Sequence, residues 1–356
     1  MTSLSVFKKL KKPREVKLVH ENPDYYGLNI SDRLGDARFE RYLNKEYDEL
    51  TDTEKTMMTR RQFEAVKKHE NAVIAEFKEY IESFDGKLKH VRLHQTPKKS
   101  YVSLMNTEKE GYLALSPRFI EMLKFLKEKN VSDIVITISL NHKQNNETTM
   151  LIPDQDGLKQ LLMLIFKLID AVGPDFLTLE FGNECNETLI LNNNKNKTMI
   201  SEEIAPKDYA RAYRIVSKIV KSKFPGIRFQ VAGTSLVDPA WLREVVENVA
   251  DDSLIDRLSF HPYRDRPSGF WKARTENRDI DINLVQLLAL PLEKISYYDI
   301  ENFFKNMAEE HGATLNVGEI AFSKKSKSPD KFLEEALASS AKNGVVSFIW
   351  TEGLPF

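Results

Sequence analysis

Between Tyr26 and Ile349 the chain alternates short apolar runs with segments of helical period, and it does so often enough to leave few folds open. The runs are Tyr26 to Ile30, Leu88 to Leu93, Ile134 to Leu140, Phe176 to Phe181, Phe229 to Ala232, Ile255 to Phe260, Thr314 to Val317 and Val345 to Ile349. Helices are expected over Thr53 to about Ser83, Ser116 to Lys129, Asp156 to Val172, Pro206 to Lys223, Pro239 to Val249, Ser296 to His311 and Pro329 to Lys342. Several of these open on helix-start signals: Thr-Asp-Thr-Glu is capping chemistry, and Ser-Pro places proline in the first turn. The run Ile134-Val-Ile-Thr-Ile-Ser-Leu140 is β-branched over its first five residues, as suits a strand buried on both faces. Strands separated by helices run parallel, and eight of them favour a closed α/β (β/α)8 TIM barrel over an open doubly wound sheet. No Gly-x-Gly-x-x-Gly opens a helix and no Gly-Lys-Ser/Thr occurs, which argues against nucleotide-binding alternatives.

Length agrees with one barrel carrying insertions: 356 residues, read as a basic N-terminal arm over 1–25 and a single barrel over 26–356. Only Thr351-Glu-Gly-Leu-Pro-Phe356 follows the last strand, so a standard eighth helix is not expected. The flank after strand eight then needs cover from the helical material between strands one and two, from a partner subunit in an oligomer, or from C-terminal sequence beyond Phe356. Lys8, Lys9, Lys11, Lys12 and Arg14 read as a solvated arm, and a formal net charge of −1 gives no general attraction to nucleic acid or to an anionic membrane. A single cysteine, Cys185, excludes an intrachain disulfide framework and thiol-rich metal sites. No apolar run is long enough to span a bilayer and no signal-like segment opens the chain, so a soluble cytoplasmic protein is expected.

In a parallel barrel, functional groups collect where strands end. Strand two ends Val91-Arg92-Leu93-His94, strand four Phe181-Gly-Asn183-Glu184, strand six His261-Pro-Tyr263, strand seven Val317-Gly-Glu319, and strand eight reaches Trp350. His142 follows strand three. Two strands that each run into a glutamate can face two carboxylates across one cleft, the arrangement that retaining glycoside hydrolysis requires.

The succession Arg, Asn-Glu, His-Pro-Tyr, Glu, Trp on strand ends resembles clan A of the glycoside hydrolases, retaining (β/α)8 enzymes, over about residues 26 to 352. Within the clan, Arg92-x-His94 and Ser259-Phe-His-Pro-Tyr263 look most like family 39, the β-xylosidases and α-iduronidases, with family 5 next. The resemblance implies Glu184 as general acid/base and Glu319 as nucleophile. It also implies Asn183 as the partner of a sugar 2-hydroxyl, His261 as an orienting group and Trp350 as an apolar platform under the ring. Arg92 and Tyr263 are candidates to keep Glu319 ionised, and His94 and His142 complete the substrate-binding set. The expected substrate is a glycoside or oligosaccharide, with no cofactor and no metal. The chain departs from family 39 in having Cys185 where proline commonly follows the acid, and in leaving no room after strand eight for an accessory domain.

Rival assignments are weaker. Glu180 lies inside its strand and has no Asn before it, and Glu187, though preceded by Asn186, lies in the loop beyond the strand end. A thiol nucleophile at Cys185 lacks an evident activating cluster. At the level of function, a carbohydrate-binding or structural barrel without turnover, and a transglycosidase using the same carboxylates, are the alternatives to a hydrolase.

Overall fold

The computed structural model describes residues 14–31, 45–94, 102–107, 110–115, 117–138, 140–144, 147–150, 155–183, 185, 190–193, 197–200, 204–235, 239–261, 297–320 and 329–350. Some of these, including three hairpins and the last residues of three barrel strands, are described by backbone alone. The barrel strands are β1 (Tyr26–Ser31), β2 (His90–His94), β3 (Asp133–Ile138), β4 (Leu177–Phe181), β5 (Arg228–Val231), β6 (Arg257–His261), β7 (Thr314–Ile320) and β8 (Val346–Trp350). Each pairs in parallel with its neighbours in sequence, β8 pairs with β1, and the sheet is continuous around the circle. The narrowest junction is β5 to β6, where Gln230 meets Arg257 and a two-residue continuation, Thr234–Ser235, pairs with Phe260 and His261. The result is the (β/α)8 barrel that the alternation of strands and helices predicts.

The helices are α1 (Arg14–Glu21), α2 (Asp52–Met57), α3 (Arg60–Glu82), α4 (Pro117–Glu128), α5 (Gln155–Val172), α6 (Pro206–Lys223), α7 (Pro239–Val249), α8 (Tyr297–Glu310) and α9 (Pro329–Asn343). Helices α6 and α7 have the bounds read from sequence. The long helix expected between the first two strands is instead two, because Met58 is extended at φ −148° and Thr59 starts a new helix with a capping box to Gln62. Helix α1 lies in the stretch read as a solvated arm. Its Val16 and Val19 are buried in the main core, and His20 Nε2 lies 3.1 Å from the Phe84 carbonyl just past α3. This helix packs against β1 and so supplies cover beside the first strand.

Side chains alternate across each strand, and the two faces have different tasks. Outward residues such as Ile134, Ile136 and Ile138 of β3 and Leu177, Leu179 and Phe181 of β4 join the apolar faces of the helices in one continuous core. Inward residues are largely polar: Asn29, Arg92, Thr137, Glu180, Gln230, Ser259, His261, Asn316 and Glu319 are all buried. Three antiparallel hairpins follow β2, β3 and β4: Val102–Thr107 with Glu110–Leu115, Asn141–Gln144 with Glu147–Met150, and Ile190–Asn193 with Lys197–Ile200. Each is inserted between a barrel strand and the helix that follows it, and Glu110–Leu115 lies against α5.

The opposite end is closed by an ionic cluster around Asp133, the first residue of β3. Arg257 Nη1 lies 2.7 and 2.9 Å from its two oxygens, Arg228 Nη2 donates at 3.0 Å, Thr178 Oγ1 donates at 3.0 Å, and His90 Nδ1 stands at 3.2 Å. Five strands are thereby tied through one carboxylate. Burial alone would raise the Asp133 pKa, but the hydrogen bond from His90 and the charges of Arg257 and Arg228 outweigh it and hold the carboxyl well below its ordinary range. A depressed folded-state pKa gives stabilisation that is complete above the unfolded value, about 3.9, and is lost as pH falls through the folded one. Asp133→Asn is therefore expected to lower unfolding stability by about 3 kcal/mol at neutral pH, leaving two arginines without their counterion. In urea titrations the gap between parent and variant should narrow as pH is taken below about 4; a gap that stays constant with pH would contradict this role.

Candidate active site

At the end where the strands terminate, the barrel interior is organised around one cation. Arg92, on β2, is completely buried, and its guanidinium reaches four side chains from three other strands and the turn after β4. Nε donates to Glu180 Oε2 on β4 at 2.7 Å, and Nη1 donates to Glu319 Oε1 on β7 at 2.7 Å. Nη2 donates to Asn183 Oδ1 at 2.7 Å, and Nη1 also faces Asn29 Oδ1 on β1 at 3.4 Å. Burial pushes the guanidinium pKa down, but the Glu180 and Glu319 carboxylates together hold it above its ordinary value. The cation is permanent, and it favours the ionised form of Glu319.

Glu319 is 3% exposed, and on its other side His261 Nδ1 of β6 stands 3.9 Å from Oε2. The His261 ring fits because Gly233 has no side chain: a Cβ there would lie 2.1 Å from His261 Nε2. Asn183 is turned toward Arg92 by Gly182, whose φ of +90° is a conformation that L side chains rarely adopt. Because arginine only donates, the Asn183 oxygen must be the atom facing it, which leaves the amide NH2 as the donor available to a ligand.

The rim is braced from outside the sheet. Tyr209 of α6 donates its hydroxyl to the Phe181 carbonyl at 2.5 Å and accepts from the Ala232 amide at 2.9 Å, so one phenol fastens the end of β4 to the end of β5. Trp241 of α7 packs edge-on against Tyr209 with ring centroids 5.0 Å apart, and its indole N–H donates to the Ile204 carbonyl. This holds β4 in place immediately before Gly182 and Asn183.

Of the residues singled out in the sequence, Arg92, Asn183, His261 and Glu319 are brought together, from β2, the end of β4, β6 and β7. Glu184 and Tyr263 lie outside the described residues. His94 and Trp350 are placed by backbone at the ends of β2 and β8, in register with Ser31 and Asn29, and their side chains lie outside the description. His142 is likewise placed by backbone only, on the hairpin after β3 and opposite Thr149. Cys185 is buried, with its thiol 3.8 Å from the Asn183 carbonyl. Among the described residues no cluster of His, Cys, Asp or Glu is placed to hold a metal ion, and no helix is long and apolar enough to cross a membrane.

No protein-family model matches the chain, and no curated protein sequence does. Solved structures do match it, at low identity. An endo-1,4-β-D-mannanase from Thermotoga petrophila RKU-1 is 10% identical over 92% of this chain and 88% of its own, with a TM-score of 0.50. A family 5 xyloglucan-specific endo-β-1,4-glucanase from a metagenomic library is 14% identical over 94% and 88%, with a TM-score of 0.50. The clostridial cellulose synthase subunit Z from Clostridioides difficile is 14% identical over 78% and 85%, with a TM-score of 0.51. What they share with this chain is the fold. The mannanase and the glucanase are named as glycoside-cleaving enzymes, and family 5 is the second of the two families that the strand-end motifs resemble. The family 39 resemblance gains no support from these barrels.

Removing the Arg92 charge should leave Glu180 and Glu319 buried without their counterion. Arg92→Met is expected to cost about 3–5 kcal/mol in chemical denaturation at neutral pH. Arg92→Lys should recover only part of that loss, because an ammonium has no planar fork to serve three acceptors at once. Equal stability of the Met variant and the parent would show that the cluster is not the anchor of the interior.

Proposed function

We propose that this chain is a retaining glycoside hydrolase with Glu319 as nucleophile and Glu184 as general acid/base. The observation that carries the reading is the Glu319 carboxylate, buried at the end of β7, held by a permanent cation, and joined through that cation to Asn183, the residue that immediately precedes Glu184. Glu319 kept ionised is the state a nucleophile needs, and a raised pKa is the state Glu184 needs to serve first as acid. A lone pair of the Glu319 carboxylate would form the bond to the anomeric carbon while the glycosidic bond breaks toward the leaving oxygen, which takes its proton from Glu184. Water, deprotonated by Glu184, would then displace Glu319 at the same carbon and restore both carboxyl groups. The Asn183 amide NH2 would bond the sugar 2-hydroxyl, a contact that strengthens as charge develops on the ring. Trp350 would supply the apolar platform beneath the sugar, with His94, His142 and Tyr263 around it.

The substrate class to test first is β-1,4-linked polysaccharide, the linkage named for the mannanase and glucanase of like fold. Incubation with 2,4-dinitrophenyl 2-deoxy-2-fluoro-β-cellobioside and its xylobioside and glucoside counterparts, followed by peptide mass spectrometry, should place a glycosyl adduct on Glu319. An adduct on another residue would reassign the nucleophile. No adduct with any of these probes, in folded protein that still binds oligosaccharide, would favour a binding barrel. Transfer of the sugar to an added acceptor in preference to water would make the enzyme a transglycosidase.

A further inference from the structure

A further carboxylate shares Arg92 with Glu319. Glu180 is fully buried on β4, four residues before Glu184, and it is held by three side chains. Its Oε2 accepts from Arg92 Nε at 2.7 Å and from Thr137 Oγ1 of β3 at 2.7 Å, and its Oε1 accepts from Gln230 Nε2 of β5 at 2.9 Å. Gln230 is in turn fixed by Asn316 of β7, whose Nδ2 donates to Gln230 Oε1 at 2.9 Å. The register explains the convergence: Thr137, Glu180 and Gln230 are paired Cα partners on adjacent strands, so they share the inward face at one level. A carboxylate tied in this way cannot swing toward a substrate, which separates it from an acid or a nucleophile.

We propose that Glu180 is a positioning residue for the reaction at Glu319: it pins the Arg92 guanidinium on the barrel axis and takes a share of its charge, so that Glu319 is paired with a cation it does not own outright. The inference rests on the retaining-hydrolase reading above. The groups concerned can be named. Glu180 faces Arg92 from β2, and Tyr209 of α6, which burial keeps un-ionised, stands on the other side of the sheet; Glu319 faces Arg92 and His261 of β6. Two carboxylates and one cation leave a net negative charge before the reaction. When a Glu319 lone pair forms the bond to the anomeric carbon and the aglycone departs with the electrons of the broken bond, Glu319 becomes a neutral ester. Arg92 then remains paired with Glu180. Were Glu180 neutral, Arg92 would bind Glu319 too firmly beforehand and would be an unpaired buried cation afterwards.

The test uses the full chain and 2,4-dinitrophenyl 2-deoxy-2-fluoro-β-cellobioside. Dinitrophenolate leaves without a proton, so the acidic limb of the inactivation rate reports the nucleophile. In Glu180→Gln, which keeps the shape and removes the charge, that limb should move down by about one pH unit, and the second-order rate constant for inactivation should fall by about 100-fold. Thr137→Val keeps both charges and removes one donor from Glu180, which then draws more strongly on Arg92. Its limb should move up, by less. A slower Glu180→Gln protein whose limb stays with the parent's would reduce Glu180 to a structural residue and overturn the inference. If Glu180→Gln does not fold, Thr137→Val decides: an unmoved or lowered limb overturns the inference, and a raised one supports it. A folded parent that releases no dinitrophenolate and takes no label, with this probe or its xylobioside and glucoside counterparts, fails at the earlier step, removing the reaction and the inference with it.

Discussion

A buried cation must be matched by anions or hydrogen-bond acceptors, and in this protein that requirement ties the sheet together from the inside. Arg92 is sealed in the barrel and satisfied by Glu180, Glu319, Asn183 and Asn29, which come from strands far apart in sequence. A pair of this kind adds little stability over a well-packed apolar interior, but removing one member leaves the other charge stranded, so the cluster acts as a strict condition on which strands meet and in what register. The Asp133 cluster imposes a similar condition at the opposite end, with Arg228, Arg257 and His90. Between them the interior also holds the apolar Val135 and Phe348. The polar load is therefore concentrated at two levels, one that closes the barrel and one that faces the candidate site.

The same arrangement connects the scaffold to the proposed chemistry. An arginine on β2 can serve Glu319 on β7 only because the barrel is closed, which brings the two strands around one axis. The position of Asn183 depends on the turn at Gly182, on the Tyr209 brace beneath it and on the Arg92 contact. The site is thus built on strand ends and their immediate turns, and its side chains are fixed by hydrogen bonds to one another, as the proposed nucleophile would require.

Much of this was legible in the sequence, for physical reasons that can be traced to particular segments. The eight strands were visible because their outward faces must be apolar, and the bounds of α6 and α7 because each begins with proline in the first turn. Arg92, Asn183, His261 and Glu319 were visible because strand ends are where a barrel displays its polar groups. The inner support was harder to see. Thr137, Glu180, Gln230 and Asn316 are single polar residues inside apolar runs, and their common level appears only once register is known. The signal was present in Leu179-Glu180-Phe181 and Phe229-Gln230-Val231, where a polar residue between two large apolar ones marks an inward position of a barrel strand. The helix break at Met58 and Thr59 was encoded as Thr-x-x-Gln but masked by the longer periodicity around it, and α1 by the basic residues that precede it. The three hairpins were missed because two of them are short and rich in amides and charges, without the alternation that identifies a half-buried strand.

Chemical rescue asks whether Glu319 attacks the sugar. Folded Glu319→Ala protein would be given 2,4-dinitrophenyl β-cellobioside with and without sodium azide, and the product would be identified by proton NMR. Almost no turnover is expected alone, and restored turnover with azide, yielding the α-cellobiosyl azide because the small anion attacks from the side Glu319 vacated. Turnover of the Ala variant at the parent's rate without azide would show that the nucleophile lies elsewhere.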